Sequence, residues 1–220
     1  GIDAIIADPK ELTLKNNHLH CGSDQIDLVY NRLVDFSLDQ PGNHVLKQAY
    51  IEGAVVLTPN PRVHALLADK RNLTILSDSA VLRSLQLEQH DIDVLHDIVP
   101  RTVLVTPENA ERLWSERRKF FFKPATGYGS KGSYRGDKLT KGTWEAILKG
   151  TYVAQTFASP GQRSVKIDGT TAVLKVDIRL YTYAANVFMT TARLYQGQTT
   201  NLRTLGGGFA SVSALQQISG

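Results

Sequence analysis

The part of the chain that decides the fold is residues 123–132, which read KPATGYGSKG. The apolar run Phe120–Phe122 predicts a strand that ends in Lys123, and Pro124 prevents the ladder from continuing. Glycines in the loop that follows let backbone N–H groups converge on an anion without interference from Cβ atoms. We therefore predict a hairpin flap over phosphate groups with Lys123 at its root. An ordinary flexible hairpin tip is the alternative.

Three other phosphate-binding motifs compete for this loop. The glycines at 127, 129 and 132 satisfy G-x-G-x-x-G, but the dinucleotide version needs a helix after the loop, and residues 133–136 (SYRG) favour a strand or turn. A P-loop needs lysine after its last glycine, where this chain has Ser133. Protein kinases place the glycine loop before the lysine, which is the reverse of the order here. The flap interpretation fits the order of residues best.

Strands that alternate with helices before about residue 100 predict a parallel α/β part. Predicted strands lie at Ile2–Ala7, Ile26–Tyr30, Ala54–Leu57, Pro100–Thr106 and Tyr152–Phe157, and predicted helices lie at Asn43–Glu52, Val63–Lys70, Pro107–Arg118 and Trp144–Leu148. Residues 10–25 are interpreted as a polar connection. The chain after about residue 100 is expected to be rich in antiparallel strands. The fold class predicted is therefore mixed α/β (α+β).

A long antiparallel hairpin is predicted near the C-terminal end. Residues 173–183 and 187–195 alternate between apolar and polar with a period of two. Asp177 and Arg179 are two residues apart and therefore share a face, and a turn near Ala185 brings Arg193 close to Asp177. Such a cluster can act as a clamp for transition-state charge. Charge pairing between strands on a solvated face is the alternative.

Composition excludes several classes of protein. The 220 residues carry a net charge of +4, and no segment approaches the roughly 20 apolar residues of a membrane helix. A single cysteine, Cys21, excludes an internal disulfide framework and fits a reducing compartment. The only methionine is Met189, so we expect either that residues were removed ahead of Gly1 or that the chain is part of a longer protein.

Weaker signals favour structural explanations. His18, His20 and Cys21 suggest a soft-metal site, but no fourth ligand is evident nearby. The basic run at residues 117–119 suits a helix C-terminus, and no aromatic platform accompanies it, which argues against nucleic acid as a partner. Asp91 and Asp93 are interpreted as a solvated turn.

Several ordered motifs from about Gln25 to Gly208 resemble the ATP-grasp superfamily and, within it, the glutathione synthetase type. The resemblance covers most of the chain and depends on the order of its motifs: the strand ending in Arg32, Asn60-Pro61-Arg62 through Asp69-Lys70, Pro100-Arg101-Thr102, Lys123-Pro124 with its glycine loop, Ala154-Gln155, Asp177-x-Arg179, Ala192-Arg193, Asn201 and the triple glycine at 206–208.

The resemblance implies an ATP-grasp fold and an ATP-dependent carboxylate–amine ligase that forms an acyl phosphate, with ATP and Mg²⁺ as cofactors. It also implies roles for individual residues. Those implied for ATP are Lys70, Lys123, Gly127, Tyr128, Gly129, Ser130, Lys131, Gly132, Gln155, Thr156, Phe157 and Ala158. Those implied for substrate are Arg32, Asn201 and Gly207; for catalysis, Arg179 and Arg193; and for metal, Asp177 and Asn201.

The resemblance also divides the chain and exposes a departure. It implies an incomplete pre-grasp part at residues 1–100, an ATP-binding lid at 101–158 and an incomplete second lobe at 159–220. The family binds magnesium through downstream carboxylates, yet no glutamate follows Glu145. A nucleotide-binding regulatory or scaffolding module without catalysis is therefore the alternative function. A cytoplasmic location, no membrane partner and a homodimer are further expectations.

Overall fold

The computed structural model describes residues 1–197 and 202–213, which form two compact units. Unit 1 comprises Gly1–Leu104, Pro124–Lys131 and Gly150–Val153. Unit 2 comprises Val105–Lys123, Gly132–Lys149 and the chain from Ala154 onward. The predicted division into three parts, at residues 1–100, 101–158 and 159–220, stays a prediction.

Unit 1 begins with an antiparallel meander of β1 (Leu12–Lys15), β2 (His18–Cys21) and β3 (Asp24–Ile26). Its side chains alternate, so that Leu19 is fully buried within a core that continues into helix α1 (His44–Ile51). The polar connection predicted over residues 10–25 is therefore wrong. Polar residues on the solvated face of a small sheet concealed the period of two.

The strand predicted at Ile2–Ala7 is also wrong. Residues 1–8 form no regular element, and Ile6 is fully exposed. An extended run becomes a strand only where a neighbouring strand satisfies its backbone N–H and C=O groups. A short 3-10 helix, Pro9–Glu11, follows, with Asp8 as its N-cap.

A parallel pair of strands carries the α/β character of unit 1. β4 (Leu28–Tyr30) pairs with β5 (Val56–Thr58), and Leu28 lies opposite Val56. Between them α1 buries Leu46 and Ala49 and ends before Gly53, whose φ of 68° suits glycine. These elements confirm the predicted strand–helix–strand order.

Four helices follow: α2 (Pro61–Leu67), α3 (Asn72–Leu76), α4 (Ser79–Ser84) and α5 (Gln89–Ile98). Asn60 caps α2 by accepting from the Val63 N–H at 2.9 Å, so the helix begins two residues before the predicted start. The three helices after Asp69 were not predicted from the sequence. None of the helices in the described ranges is long and apolar enough to span a membrane.

A four-stranded sheet has the order β6 (Thr102–Leu104), β9 (Tyr152–Thr156), β7 (Phe120–Pro124) and β8 (Tyr134–Arg135). The helices α6 (Ala110–Ser115) and α7 (Lys141–Lys149) belong to unit 2. Phe122 is fully buried, with 0% exposure, and its ring centre lies 5.4 Å from that of Trp144. The strand predicted at Phe120–Lys123 is thus confirmed.

The last sheet is antiparallel throughout, in the order β10 (Gly161–Ile167), β11 (Thr170–Tyr183), β12 (Asn186–Tyr195) and β13 (Gly208–Ser211). The turn between β11 and β12 has Ala184 and Ala185 at φ values of 47° and 63°. The predicted long hairpin is confirmed, as is the mixed architecture of a parallel α/β part followed by an antiparallel-rich part.

Candidate functional site

The glycine loop is an exposed turn of unit 1. Residues 126–131 are all exposed, and Gly127, Gly129 and Ser130 have φ values of 107°, 63° and 59°. Alternation of right- and left-handed backbone in a turn can direct N–H groups toward a common side, as in anion-binding nests. A phosphate-binding role for this loop stays a prediction.

Lys70 lies beside the start of this loop. Its Nζ donates to the Gly127 carbonyl at 3.2 Å, and its backbone N–H donates to the Ala125 carbonyl at 2.9 Å. Burial lowers the pKa of Lys70, while the nearby Asp69 carboxylate acts in the opposite direction. The pKa of Asp69 is itself lowered by hydrogen bonds from Arg71. Lys70, which was predicted from the sequence, therefore contacts a loop residue that lies 57 positions further along the chain.

Lys123 and Gln155 form a polar pair within unit 2. The Lys123 Nζ donates to the Gln155 Oε1 at 2.7 Å, and the Gln155 residue is only 9% exposed. The Lys123 Nζ also lies 5.6 Å from the centre of the Phe121 ring. A hydrogen bond from a charged donor contributes about 1.5–3 kcal/mol. The pair therefore holds the ammonium group in a defined position at the end of β7, directly before the loop.

The alternation of β7 explains why this lysine is positioned well. Phe122 points into the aromatic core with Trp144, whereas Phe121 and Lys123 take the opposite face. Trp114 adds to the core, with its ring 5.7 Å from that of Trp144. A rigid apolar face under one side of a short strand fixes the direction of the charged side chain on the other.

The segment predicted to hold adenine begins where β9 ends. Thr156, the last residue of β9, and Ala158 are both exposed. The Phe157 N–H already donates to the Lys119 carbonyl at 2.8 Å, and the Arg135 guanidinium lies 4.7 Å from the Phe157 ring centre. Both the amide and the ring of Phe157 therefore contact residues of unit 2, the unit to which Phe157 belongs.

Arg193 and Asp177 form a two-point ion pair across β11 and β12. The Arg193 Nε and Nη2 donate to the two oxygens of Asp177 at 2.6 and 3.0 Å, and this raises the pKa of Arg193. Arg179 lies two residues along β11, exposed, with its guanidinium 5.8 Å from the Tyr181 ring centre. The Thr191 Oγ1, opposite Arg179 in the register, is buried and accepts no hydrogen bond. The predicted proximity of Asp177 and Arg193 is confirmed.

The roles of Asp177 and Asn201 as magnesium ligands stay a prediction. Both oxygens of Asp177 are engaged by Arg193, and Asn201 lies outside the described residues. No group of three His, Cys, Asp or Glu side chains suited to a metal occurs in the described parts of the chain, and this includes the surroundings of Cys21. The side chains that could neutralise phosphate charge are instead lysines and arginines.

Two of the three glycines at 206–208, Gly206 and Gly207, have a packing role. A Cβ at Gly206 would lie 2.2 Å from the Ile167 Cδ1, and one at Gly207 would lie 2.5 Å from the Thr204 Oγ1. The Gly207 N–H donates to the Thr204 carbonyl at 2.8 Å. Close approach of the chain to itself explains these glycines without a ligand, so a substrate role for Gly207 stays a prediction.

Arg32 lines a cavity of about 210 Å³ in unit 1, together with Asn31, Leu33, Val34, Phe36, Pro59, Asn60 and His64. The Asn31 side chain braces it by donating to the Pro59 carbonyl and accepting from the Leu33 N–H. Phe36 and His64 were not predicted as site residues. No local motif marks them, because they meet only after the chain between them has folded.

Comparisons with known proteins give a similarity to solved structures. No protein-family model matches this chain, and no curated protein matches it. The chain is similar to one in the structure of the ATP-grasp ligase PsnB complexed with minimal precursor, with 17% sequence identity and a TM-score of 0.37. The aligned part covers 84% of this chain and 64% of that one, so the chain spans less than two thirds of its length. The assignment of a function depends on the residues of the site.

Proposed function

We propose that this protein binds ATP and belongs with the ATP-grasp ligases. The observation that carries the proposal is the glycine loop of unit 1, in which three residues are left-handed and the Gly127 carbonyl accepts a hydrogen bond from the Lys70 Nζ at 3.2 Å. A cation bonded to a glycine-rich loop is suited to a polyphosphate, because the ammonium group and the backbone N–H groups neutralise charge without covalent chemistry.

The residues proposed to contact the nucleotide are those at positions 70, 123, 127–132 and 155–158. Lys70 and Lys123 neutralise phosphate charge, the loop covers the phosphates, and the backbone of residues 155–158 contacts the adenine. Closure of such a loop excludes water, which strengthens each charged contact. Two contacts support these roles, that of Lys70 with Gly127 in unit 1 and that of Lys123 with Gln155 in unit 2. The order of the motifs in the chain supports them as well.

The reaction we propose is the ATP-dependent joining of a carboxylate and an amine. A carboxylate oxygen attacks the γ-phosphorus of ATP, the bond to the β–γ bridging oxygen breaks, and ADP leaves. The amine then attacks the carbonyl carbon of the acyl phosphate, which expels inorganic phosphate and releases a proton. Arg179 and Arg193 are proposed to neutralise charge during phosphoryl transfer. Arg32 is proposed to bind a substrate carboxylate, and Mg²⁺ is expected to accompany ATP.

A nucleotide-binding module without ligase activity is the second candidate. The observation that favours it is the engagement of both Asp177 oxygens by Arg193, which competes with the binding of a metal ion to that carboxylate. In that case ATP would bind and no ADP would be released. A cytoplasmic location and a homodimer remain predictions for either candidate.

The experiment is isothermal titration of the protein with ATP in the presence of Mg²⁺. Lys123→Met is expected to weaken binding by about 10- to 150-fold, the equivalent of one charge-assisted hydrogen bond of roughly 1.5–3 kcal/mol. Lys119→Met is the matched control, since it removes the same charge from an exposed side chain that pairs with Glu116. If the wild-type protein does not bind ATP, or both variants weaken it equally, the proposal is refuted. ADP release with a carboxylate and an amine separates ligase from module.

A further inference from the structure

The cavity around Arg32 has the chemistry of a carboxylate site with apolar walls. Leu33, Val34, Phe36 and Pro59 supply apolar surface, and His64 also lines the cavity. The Arg32 side chain is exposed, and its guanidinium contacts the Tyr30 ring at 5.6 Å rather than a carboxylate of the described chain. A ligand with an aromatic ring and a carboxylate satisfies both parts of this lining, through ring contact and a two-point hydrogen bond.

Phe36 belongs to both this cavity and the glycine loop. Its ring stacks on His64 with a centroid distance of 3.8 Å and an interplanar angle of 13°. It also meets the Tyr128 ring edge-on, at 5.5 Å and 86°. Tyr128 lies inside the loop, between two left-handed glycines. One ring therefore forms a wall of the cavity and the lateral support of the loop.

The loop has polar contacts near its base and Tyr128 at its centre. The Lys70 Nζ bonds the Gly127 carbonyl, and the Lys131 ammonium lies 5.0 Å from the Tyr128 ring centre. Glycine has several accessible backbone conformations, so Gly127 and Gly129 alone do not fix the position of Tyr128. The aromatic contact with Phe36 adds to the polar contacts in stabilising the observed conformation.

We propose that the cavity binds an aromatic carboxylate, and that Phe36 acts as a positioning residue which transmits its binding to the glycine loop. The carboxylate bonds Arg32, and its ring packs on Phe36 and holds it against His64. The held Phe36 ring then fixes Tyr128 and orders the loop. This inference deepens the proposed function and rests on it only for the claim that the ordered loop binds phosphate. By linkage, nucleotide and carboxylate each raise the affinity for the other.

The test uses benzoate as the probe and needs no nucleotide. Trypsin cleaves after Lys131, so the rate of this cleavage reports loop order. Saturating benzoate is expected to slow cleavage of the wild-type protein about 2- to 10-fold, the range that one aromatic contact supports. Phe36→Leu keeps apolar volume and should abolish the protection, whereas Phe188→Leu, an exposed ring on β12, should retain it. Arg32→Gln should abolish benzoate binding measured by titration.

The outcomes separate this inference from the proposed function. If benzoate does not bind the wild-type protein, or binds without slowing cleavage, the inference is wrong whatever ATP does. If Phe36→Leu retains full protection, Phe36 is not the link. Protection that depends on Arg32 and Phe36 in a protein that fails to bind ATP supports the inference and refutes the function. Equal melting temperatures of the two phenylalanine variants exclude simple unfolding as the cause of faster cleavage.

Discussion

Replacement of Gly136 by alanine is expected to destabilise unit 2 strongly. Gly136 directly follows β8, at the first position of a short 3-10 helix, and it is buried. A Cβ built on it would lie 1.7 Å from the Arg117 carbonyl oxygen and 2.9 Å from that of Phe120. Both contacts are with backbone, so no side-chain rotation can relieve them. The Gly136 backbone itself is one that alanine adopts, and the cost is therefore steric.

The size of the effect follows from the distances. An ordinary contact is at least 3.4 Å, so the Arg117 carbonyl would have to move by well over an ångström. Overpacking in a tight site costs about 1–3 kcal/mol, and a forced backbone shift belongs at the upper end. For a chain of this size, about 3 kcal/mol lowers the melting temperature by roughly 6–12 °C.

The matched control is Gly142→Ala, measured by differential scanning calorimetry beside Gly136→Ala. Gly142 lies in α7, and a Cβ there would meet no atom within 4 Å. Alanine in a helix is favoured over glycine by about 0.5–1 kcal/mol, so this variant should melt about 1–4 °C above the wild type. A Gly136→Ala protein that melts at or above the wild-type temperature would refute the close approach of Gly136 to the Arg117 carbonyl.

Three further predictions concern caps, charges and acid. Asn60→Ala removes the hydrogen bond to the Val63 N–H and should cost about 1 kcal/mol, seen as a melting temperature about 2–4 °C lower in thermal denaturation; an unchanged value would argue against the cap. Asp177→Asn should lower the melting temperature by a similar amount, because it breaks a partly buried ion pair, yet leave the Mg²⁺ concentration for half-maximal ATP binding unchanged; a higher requirement would identify Asp177 as a metal ligand. The pKa of Asp69 is held below its ordinary 3.8 by hydrogen bonds from Arg71, so its stabilisation is complete above that pH and is lost as the pH falls through the lower folded-state pKa. Acid titration of Asp69→Asn, followed by circular dichroism, should show a shallower loss of stability below pH 3.8 than the wild type.

The elements that the sequence predicted well are those with a strong local signal. The alternation of β11 and β12 extends over more than twenty residues and determines the pairing of Asp177 with Arg193. The aromatic run before Lys123 and the proline after it define both ends of β7. In each case residues close together in the chain decide the structure, so a single sequence contains enough information.

The elements that the sequence did not predict depend on distant partners. The meander at residues 12–26 and the short helices α3 to α5 bury few side chains each, so their apolar patterns are weak. The apolar run at residues 2–7 looked like a strand, but no neighbouring strand pairs with it in the described structure. Burial and pairing are properties of the folded chain, which local pattern only suggests.

The candidate site shows the same distinction. Lys123 and Lys70 were identified from motifs, but their partners Gln155 and Gly127 lie 32 and 57 residues away. The contact of Phe36 with His64 and Tyr128 carries no motif at all. A sequence can therefore identify the charged groups of this site, while the side chains that orient them become evident only in three dimensions.

Substitutions in the turn at Ala184 and Ala185 are expected to increase the stability of the protein. Left-handed backbone costs an ordinary L-residue about 1–2 kcal/mol, and both alanines adopt it. Asparagine followed by glycine suits such a two-residue turn far better. The natural chain thus tolerates an avoidable energetic penalty at the tip of its longest hairpin. A variant carrying Ala184→Asn and Ala185→Gly would therefore be a more stable background for crystallisation and for destabilising substitutions at other positions.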